Sequence, residues 1–362
     1  MIANNPFSVF TELLPSDWQK NLYQSQQDGK AAFSLAHKNL QNQVRQFFKA
    51  APDPQVNPLS PDLLSSLADA RDALLAEDWQ DAETGIYPKS LLFDDDWLSF
   101  AQYYPQIWLD NAAVWQRIST QTYQQFSPEI DLNGYPDYYL QNFHHQTDGY
   151  LGEMSANLYD LQVEILFNGT SDAMRRRILK PIKDKLGTDS HLPLKVLDLA
   201  CGTGRTLKFL AAGLPQASLH GLDLSPTYLR KAQELLGDRG GRFPQLLQGN
   251  AEALPYQDNW FDLITNVYLL HELPPPVRQT VLAECFRVLK PGGILMVMDS
   301  IQAKDRPDWE PMLENFPQMF HEPYYRHYIH DDITIRLSES GFADIEERPH
   351  CFSKSWLAVK PA

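Results

Sequence analysis

Hydrophobic and polar positions follow two different patterns along the chain. Up to about residue 190, apolar side chains recur at helical spacing, as at Leu63, Leu67 and Leu74. Such spacing places them on one face of a helix, so this region is predicted to be mostly helical. Segment 127–139 interrupts the pattern with prolines and a glycine and is predicted to be a loop.

From Leu194 onward, short apolar runs alternate with amphipathic stretches. This alternation predicts an α/β fold, in which a parallel sheet of buried strands is joined by crossover helices. The predicted strands are 195–200, 218–224, 243–249, 261–267 and 293–299, and the predicted helices are 205–213, 225–236 and 277–289. Two closely spaced strands, 342–349 and 353–360, predict an antiparallel hairpin at the end of the sheet.

The main domain boundary is placed in the polar connector 187–193. It divides the chain into a mostly helical region, 1–190, and an α/β domain, 191–362. The N-terminal region is interpreted as a lid or a docking element.

Composition and charge narrow the range of partners and the compartment. The 362 residues carry 31 Lys and Arg against 46 Asp and Glu, a net charge of −15. This balance argues against a nucleic-acid partner, because phosphate contacts need concentrated basic side chains. The compact basic cluster Arg175–Arg177 is interpreted as a solvated helix face. Three cysteines without a CxxC pair, and an N-terminus without a signal-peptide pattern, predict a cytoplasmic protein. No apolar stretch approaches the ~20 residues that cross a bilayer.

The segment VLDLACGTGR, residues 196–205, carries the most informative turn. A predicted strand ends near Asp198, and Gly202 and Gly204 let the backbone pass close to a ligand because neither has a Cβ atom. Ligands of open α/β sheets bind at the carboxyl ends of the strands. The next predicted strand ends near Asp223, whose carboxylate can accept both hydrogens of a ribose diol.

A glycine-bearing turn of this kind also occurs in nicotinamide-dependent enzymes, which are the main alternative to weigh here. Their fingerprint requires Gly or Ala at the third glycine position, where this chain has Leu207. A bulky leucine would hinder close packing of helix on strand over a pyrophosphate. The turn therefore favours a cofactor without a pyrophosphate.

This turn and three later segments, in order, resemble the class I S-adenosylmethionine-dependent methyltransferases. The later segments are GNAEALP (249–255), FDLITNVYLLHEL (261–273) and RVLKPGGILMVMD (287–299). The resemblance is to type 11, the ubiquinone/menaquinone-biosynthesis methyltransferase-like group. It covers roughly residues 192–361 and implies a Rossmann-like sheet of parallel strands with a terminal antiparallel strand.

The resemblance implies S-adenosylmethionine as the cofactor and gives the matched residues their roles. Asp198 would help to hold the methionine amino group, and Asp223 the ribose hydroxyls. Asn250 stands where the family has Asp, near the adenine amino group, and Ala200 stands where it has its first glycine. The predicted cofactor-binding residues are Asp198, Ala200, Cys201, Gly202, Gly204, Asp223, Leu224, Asn250, Ala251, Glu252 and Asn266.

The expected reaction is in-line transfer of the sulfonium methyl group, which needs alignment above all. His271 is the predicted base for an acceptor that must lose a proton, because the loop after the fourth strand faces the methyl group in this family; a structural histidine is the alternative. Glu272 is interpreted as a solvated side chain, and the alternative is that it orients His271.

The acceptor is expected to be a small molecule, apolar or aromatic, because aromatic residues are concentrated in segments 135–151 and 300–330. The first of these segments either covers the active site or docks the N-terminal helices, and the second is an unusually long connection. The predicted acceptor-contacting residues are Tyr159, Tyr268, Tyr324 and Tyr325. No metal site is predicted, because the histidines at 321, 327 and 330 lack the spacing of a known ligand motif.

The sequence leaves a second class of function open. The chain could be a cofactor-binding regulatory or partner-docking module with little or no transfer activity. A thiolate-bound metalloid acceptor would need several converging cysteines, and only Cys285 and Cys351 lie outside the glycine turn. The sequence does not indicate the oligomeric state.

Overall fold

The computed structural model describes residue 11 and residues 13–187, 191–237 and 243–362, so the predicted connector 187–193 lies partly outside the described residues. The N-terminal region is mostly helical, as predicted. Its helices are α1 (Ser16–Phe48), α2 (Pro61–Glu83), α3 (Trp97–Thr120), α4 (Glu153–Leu166), α5 (Ser171–Arg176) and α6 (Leu179–Leu186). Side chains cap two of these helices, because Ser60 Oγ accepts from the Leu63 N–H and Asp96 Oδ1 from the Ser99 N–H. The predicted loop 127–139 contains no helix or strand.

The C-terminal half of the chain forms one sheet flanked by helices. Its strands are β1 (Lys195–Leu199), β2 (Ser218–Asp223), β3 (Gln245–Gln248), β4 (Phe261–Val267), β5 (Leu289–Ser300), β6 (Ala343–His350) and β7 (Ser353–Val359). The helices are α7 (Arg205–Gly213), α8 (Pro226–Gly237), α9 (Pro275–Val288), α10 (Glu310–Met319), α11 (Tyr325–Ile329) and α12 (Ile333–Glu339). Within the described residues the strand order is β3-β2-β1-β4-β5-β7-β6.

Strand directions confirm the predicted sheet. β1 to β5 pair in parallel, whereas β7 runs antiparallel to both β5 and β6. The prediction that residues 243–249 form a buried strand is wrong in part, because β3 is shorter and its side chains are mostly exposed. β3 lies at the edge of the sheet and pairs with β2 alone among the described strands.

Hydrophobic packing crosses the predicted domain boundary. Tyr23 and Trp79 of the N-terminal helices share one buried cluster with Ile178, with Val196 of β1 and with Met296 of β5. Burial of apolar surface contributes about 25 cal/mol per Å², so this shared cluster holds the helices onto the sheet. The domain boundary near residue 190 stays a prediction, and the buried hydrophobic core is continuous across it.

The arginine triplet corrects one expectation from the sequence. Arg175, Arg176 and Arg177 are all buried and do not form a solvated face. Arg176 donates two hydrogen bonds to Asp78, at 2.9 and 2.6 Å, and Arg177 donates one to Asp81 at 2.5 Å. Ion pairs therefore fix the short helix α5 to α2.

The connection between β5 and α12 also differs from the expected long loop. Residues 310–319 and 325–329 form α10 and α11, and Trp309, Tyr325 and Tyr328 are buried in the core. The aromatic residues concentrated there mainly build this part of the core.

The topology places a switch point at the carboxyl end of β1. The chain moves outward from β1 to β2 and β3 and then returns to the other side of β1 with β4. Open sheets of this kind bind ligands in the crevice outside such a point. None of the described helices is both long and apolar enough to cross a membrane.

Candidate functional site

The glycine-bearing turn after β1 forms the floor of the switch point. Its backbone takes left-handed conformations at Ala200 (φ 55°), Gly202 (φ 52°) and Gly204 (φ 83°). The Cys201 N–H donates to Leu222 O at 3.0 Å and ties the turn to β2. Left-handed backbone costs an L-residue about 1–2 kcal/mol, so Ala200 is held there by the surrounding structure.

Asp223 at the end of β2 organises this turn. Its Oδ2 accepts from the Gly202 N–H and its Oδ1 from the Ser225 N–H, both at 2.8 Å. Ser225 caps α8, since its Oγ accepts from the Tyr228 N–H at 3.1 Å. Burial, reinforced by the nearby charge of Glu272, raises the pKa of Asp223 to about 6. A carboxylate offers about four lone-pair directions, so Asp223 can accept further hydrogen bonds from a diol.

A cavity of about 110 Å³ lies against this turn at the carboxyl ends of the strands. The structure brings eight of the predicted site residues together in its lining, and they are Tyr159, Ala200, Gly202, Asp223, Leu224, Asn250, Ala251 and Tyr268. Four further tyrosines and Glu272 complete much of the wall, the tyrosines being Tyr138, Tyr139, Tyr150 and Tyr228.

Other predicted cofactor residues lie behind the lining. Gly204 faces α8, because a Cβ atom there would lie 3.0 Å from the Ala232 Cβ. Cys201 is buried, and burial raises the pKa of its thiol well above the usual range. Glu252 accepts a hydrogen bond from Tyr138 OH at 2.8 Å and so supports the wall from outside.

Comparisons with known proteins agree with this geometry. Residues 196–293 match a family model described as "Methyltransferase domain". An uncharacterized methyltransferase of Synechocystis sp. is 34% identical over 167 residues, which are 46% of this chain and 73% of that protein. The chain belongs to the S-adenosylmethionine-dependent methyltransferases.

Two further relatives of this methyltransferase carry more specific names. The demethylmenaquinone methyltransferase of Anoxybacillus flavithermus is 26% identical over 227 residues, covering 55% of this chain and 89% of that protein. The ubiquinone/menaquinone biosynthesis C-methyltransferase of Burkholderia multivorans is 33% identical over 158 residues, covering 43% of this chain and 59% of that protein. The resemblance stated from the sequence is therefore confirmed.

Buried polar atoms without hydrogen-bond partners lie at the ends of β1 and β4. Thr265 Oγ1 donates to Asp198 Oδ1 at 2.7 Å, whereas Asp198 Oδ2 makes no hydrogen bond. Both side-chain amide atoms of Asn266 are also buried without a partner. Burial raises the pKa of Asp198 to about 7. Buried groups of this kind usually have partners, so they fit a polar ligand group at the ends of β1 and β4.

Leu207, the residue that argued against a nicotinamide cofactor, packs tightly on β2. A Cβ atom at Gly221 would lie 2.8 Å from Leu207 Cδ1 and 2.9 Å from Cys201 Sγ. Gly221 therefore makes room for Leu207, which is fully buried in the methyltransferase core. No local sequence pattern indicates this role of Gly221.

Segment 135–151 both covers the cavity and docks on the N-terminal helices. Tyr138, Tyr139 and Tyr150 cover the cavity of the methyltransferase. The same segment is docked on α3, because Arg117 donates to His145 O at 2.9 Å and to Thr147 Oγ1 at 2.7 Å.

His271 lies behind the cavity wall. Its Nδ1 is 2.6 Å from Asp299 Oδ1, and its Nε2 is 3.9 Å from Glu272 Oε1. Burial lowers the pKa of His271, but the Asp299 carboxylate outweighs this effect and the pKa is raised. His271 is not among the residues that line the cavity, so its role as a base stays a prediction.

Glu272 corrects a second expectation, because it is not a solvated side chain. Its carboxylate lines the cavity, accepts a hydrogen bond from Tyr150 OH and lies 3.7 Å from His144 Nε2. His144 Nε2 is also 3.1 Å from Oε1 of Glu322, whose side chain is fully buried. His144 and Glu322 are not among the residues predicted from the sequence, and they lie far apart in the chain.

The four predicted acceptor tyrosines divide into two pairs. Tyr159 and Tyr268 line the cavity, and Tyr268 OH lies 2.6 Å from Ser353 Oγ. Tyr325 is buried, with its OH 2.8 Å from Ser300 Oγ, and Tyr324 packs outside the lining. Contact of the second pair with an acceptor stays a prediction.

Proposed function

We propose that the enzyme methylates a small aromatic acceptor that carries a hydroxyl group, of the quinol or phenol type. The observation that carries this proposal is the cavity wall, where tyrosines and the carboxylate of Glu272 lie together beside the cofactor turn. Aromatic side chains suit a planar apolar ring, and a carboxylate can accept a hydrogen bond from its hydroxyl group. The quinone-type names of the relatives support the same class of acceptor.

We assign the cofactor to the floor and the Asp223 side of the cavity. Asp223 would accept the ribose hydroxyls, and Leu224 and Ala251 would contact the adenine, with Asn250 beside its amino group. Asp198 and Asn266, with their unpartnered atoms, would receive the aminoacyl group. When bound, S-adenosylmethionine supplies an electrophilic methyl group on a sulfonium centre. The residues of this chain supply alignment and exclude water.

The covering tyrosines must move when ligands enter. Pockets for molecules of this size measure about 300–1,000 Å³, whereas this cavity measures about 110 Å³. Tyr138, Tyr139 and Tyr150 all belong to one segment, so its displacement opens the site. Its return over bound ligands would exclude water from the reacting groups.

The test is methyl transfer by the purified full chain from labelled S-adenosylmethionine to a panel of quinols, phenols, catechols and amines. We expect a labelled product from quinols or phenols and little from aliphatic amines. Tight cofactor binding without transfer to any aromatic acceptor would contradict the proposal and favour the regulatory or docking module.

A further inference from the structure

The polar cluster behind the cavity contains more carboxylates than imidazoles. His271 pairs with Asp299 and its Nε2 lies 3.9 Å from Glu272 Oε1, whereas His144 faces both Glu272 and Glu322. A metal ion binds ionised carboxylates and neutral imidazole, so His144 and its two carboxylates would bring a charge of about −2, which a divalent cation would neutralise.

Glu322 gives the clearest sign that a group belongs in this cluster. Its side chain is fully buried, and neither carboxylate oxygen makes a hydrogen bond. The contact with His144 Nε2, at 3.1 Å, brings the two side chains together without hydrogen-bond alignment. Taking a carboxylate out of water costs several kcal/mol unless it is well paired or ligates a metal.

The three side chains offer a ligand set of suitable dimensions. One nitrogen and two oxygen atoms, from His144, Glu272 and Glu322, all lie within 4.8 Å of one another. An ion bound at about 2.0–2.2 Å places two of its ligands about 3–4 Å apart. The distances from His144 Nε2 to Glu322 Oε1 (3.1 Å) and to Glu272 Oε1 (3.7 Å) match this range.

We propose that His144, Glu272 and Glu322 bind a divalent transition-metal cation. A mixed set of imidazole nitrogen and carboxylate oxygens suits Mn²⁺, Fe²⁺, Co²⁺ or Zn²⁺, whereas Mg²⁺ and Ca²⁺ prefer oxygen ligands alone. Tyr150 donates to Glu272 and so orients one ligand from outside, as partners of metal ligands commonly do.

The position of the cation would give it a role in acceptor binding. Three protein ligands leave coordination positions open, and Glu272 lines the cavity. An acceptor oxygen could occupy an open position, which would fix the ring relative to the methyl donor. This role rests on the proposed function, but the binding of the cation does not.

The test starts with tag-free full chain that has been stripped of metal with a chelator. Titration with MnCl₂ and ZnCl₂ in a calorimeter, without cofactor or acceptor, should show one saturable site per chain. Glu322→Gln and His144→Gln should each weaken metal affinity at least about tenfold, since loss of even an outer partner of a ligand costs about that much.

Glu314→Gln is the matched control. Glu314 Oε1 lies 3.3 Å from His330 Nε2 in a more exposed carboxylate–imidazole pair without a third ligand. This variant should bind metal like the wild type. Metal should raise the unfolding temperature of the wild type and of Glu314→Gln, but not that of Glu322→Gln. The last variant should still fold without metal, because it removes a buried carboxylate charge.

Two results would overturn the metal proposal. One is the absence of saturable binding by the wild type at millimolar metal, and the other is equal affinity in the wild type, Glu322→Gln and His144→Gln. The proposed function is tested separately by methyl transfer with chelator present. Undiminished transfer to a quinol there would refute the role of the cation in acceptor binding and leave the proposed function standing.

Discussion

Replacement of Asp223 by Asn tests where the cofactor ribose lies. The amide keeps the size of the side chain and removes its charge. It also removes one acceptor oxygen, at a position where Asp223 accepts from both Gly202 and Ser225 in the free enzyme. A ribose diol would then meet an amide group that can accept through one oxygen atom only.

The magnitude follows from the hydrogen bonds that are lost. A hydrogen bond to a charged group contributes about 1.5–3 kcal/mol, and a neutral one about 1 kcal/mol. Exchanging two charged bonds for one neutral bond costs about 2–5 kcal/mol. At about 1.4 kcal/mol for each tenfold change, the cofactor dissociation constant should rise roughly 30- to 4,000-fold.

Calorimetric titration with S-adenosylmethionine and its demethylated product measures this change. Asp262→Asn is the matched control, since Asp262 also accepts from a backbone N–H, that of Lys195 at 2.8 Å. Asp262 lies at the start of β4, at the end of the strand away from the cavity. Thermal unfolding of each free variant separates lost contacts from a damaged fold. An unchanged dissociation constant in Asp223→Asn would refute the placement of the ribose.

The same carboxylate predicts a pH dependence of cofactor binding. Its pKa in the free enzyme is about 6, so it is ionised above that pH and accepts hydrogen bonds fully there. Wild-type affinity should therefore decrease as the pH falls through 6, by up to about tenfold per unit for one proton. Because this folded-state pKa lies above the usual value, ionisation costs the free protein stability as the pH rises through 6. The Asn variant should lack this component of both profiles.

Three further substitutions test the packing around the site. Asp78→Ala leaves the Arg176 guanidinium buried without its partner and should lower the free energy of unfolding in urea by about 3–5 kcal/mol. Lys180→Ala, in an exposed ion pair, should change it by less than about 0.5 kcal/mol. Equal losses in the two variants would contradict the ion-pair account. Ala200→Gly should raise the free energy of unfolding by about 0.5–1 kcal/mol, because glycine adopts φ 55° without strain. Gly204→Ala should lower the free energy of unfolding by about 2–4 kcal/mol, because alanine is strained in the left-handed conformation and its Cβ would lie 3.0 Å from α8. Changes of opposite sign in the two variants, measured by urea unfolding, would distinguish backbone strain from a general loss of flexibility.

The strands of the α/β half could be predicted because buried parallel strands leave a direct mark on sequence. Continuous apolar runs such as residues 261–267 and 293–299 are covered on both faces, and their lengths suit strands. The cofactor turn could equally be predicted from the sequence, since the glycine spacing and the acidic residue after the next strand are local signals. Both Gly202 and Asp223 line the cavity as expected.

Long-range pairing explains what the sequence did not reveal. Arg176 and its partner Asp78 are 98 residues apart, and nothing near the triplet distinguishes a buried ion pair from a solvated face. His144, Glu272 and Glu322 come from three widely separated segments of the chain, so no spacing rule connects them. β3 shows the converse, because an apolar run can lie at an exposed edge.

The contact between Leu207 and Gly221 makes two distant positions a single steric unit. The leucine fills the volume that the missing side chain on β2 leaves free. A scan of either position alone would record intolerance, through a void in one case and overcrowding in the other. Redesign of this crevice for a dinucleotide would therefore need compensating exchanges at both positions at once, with bulk transferred from the helix to the strand.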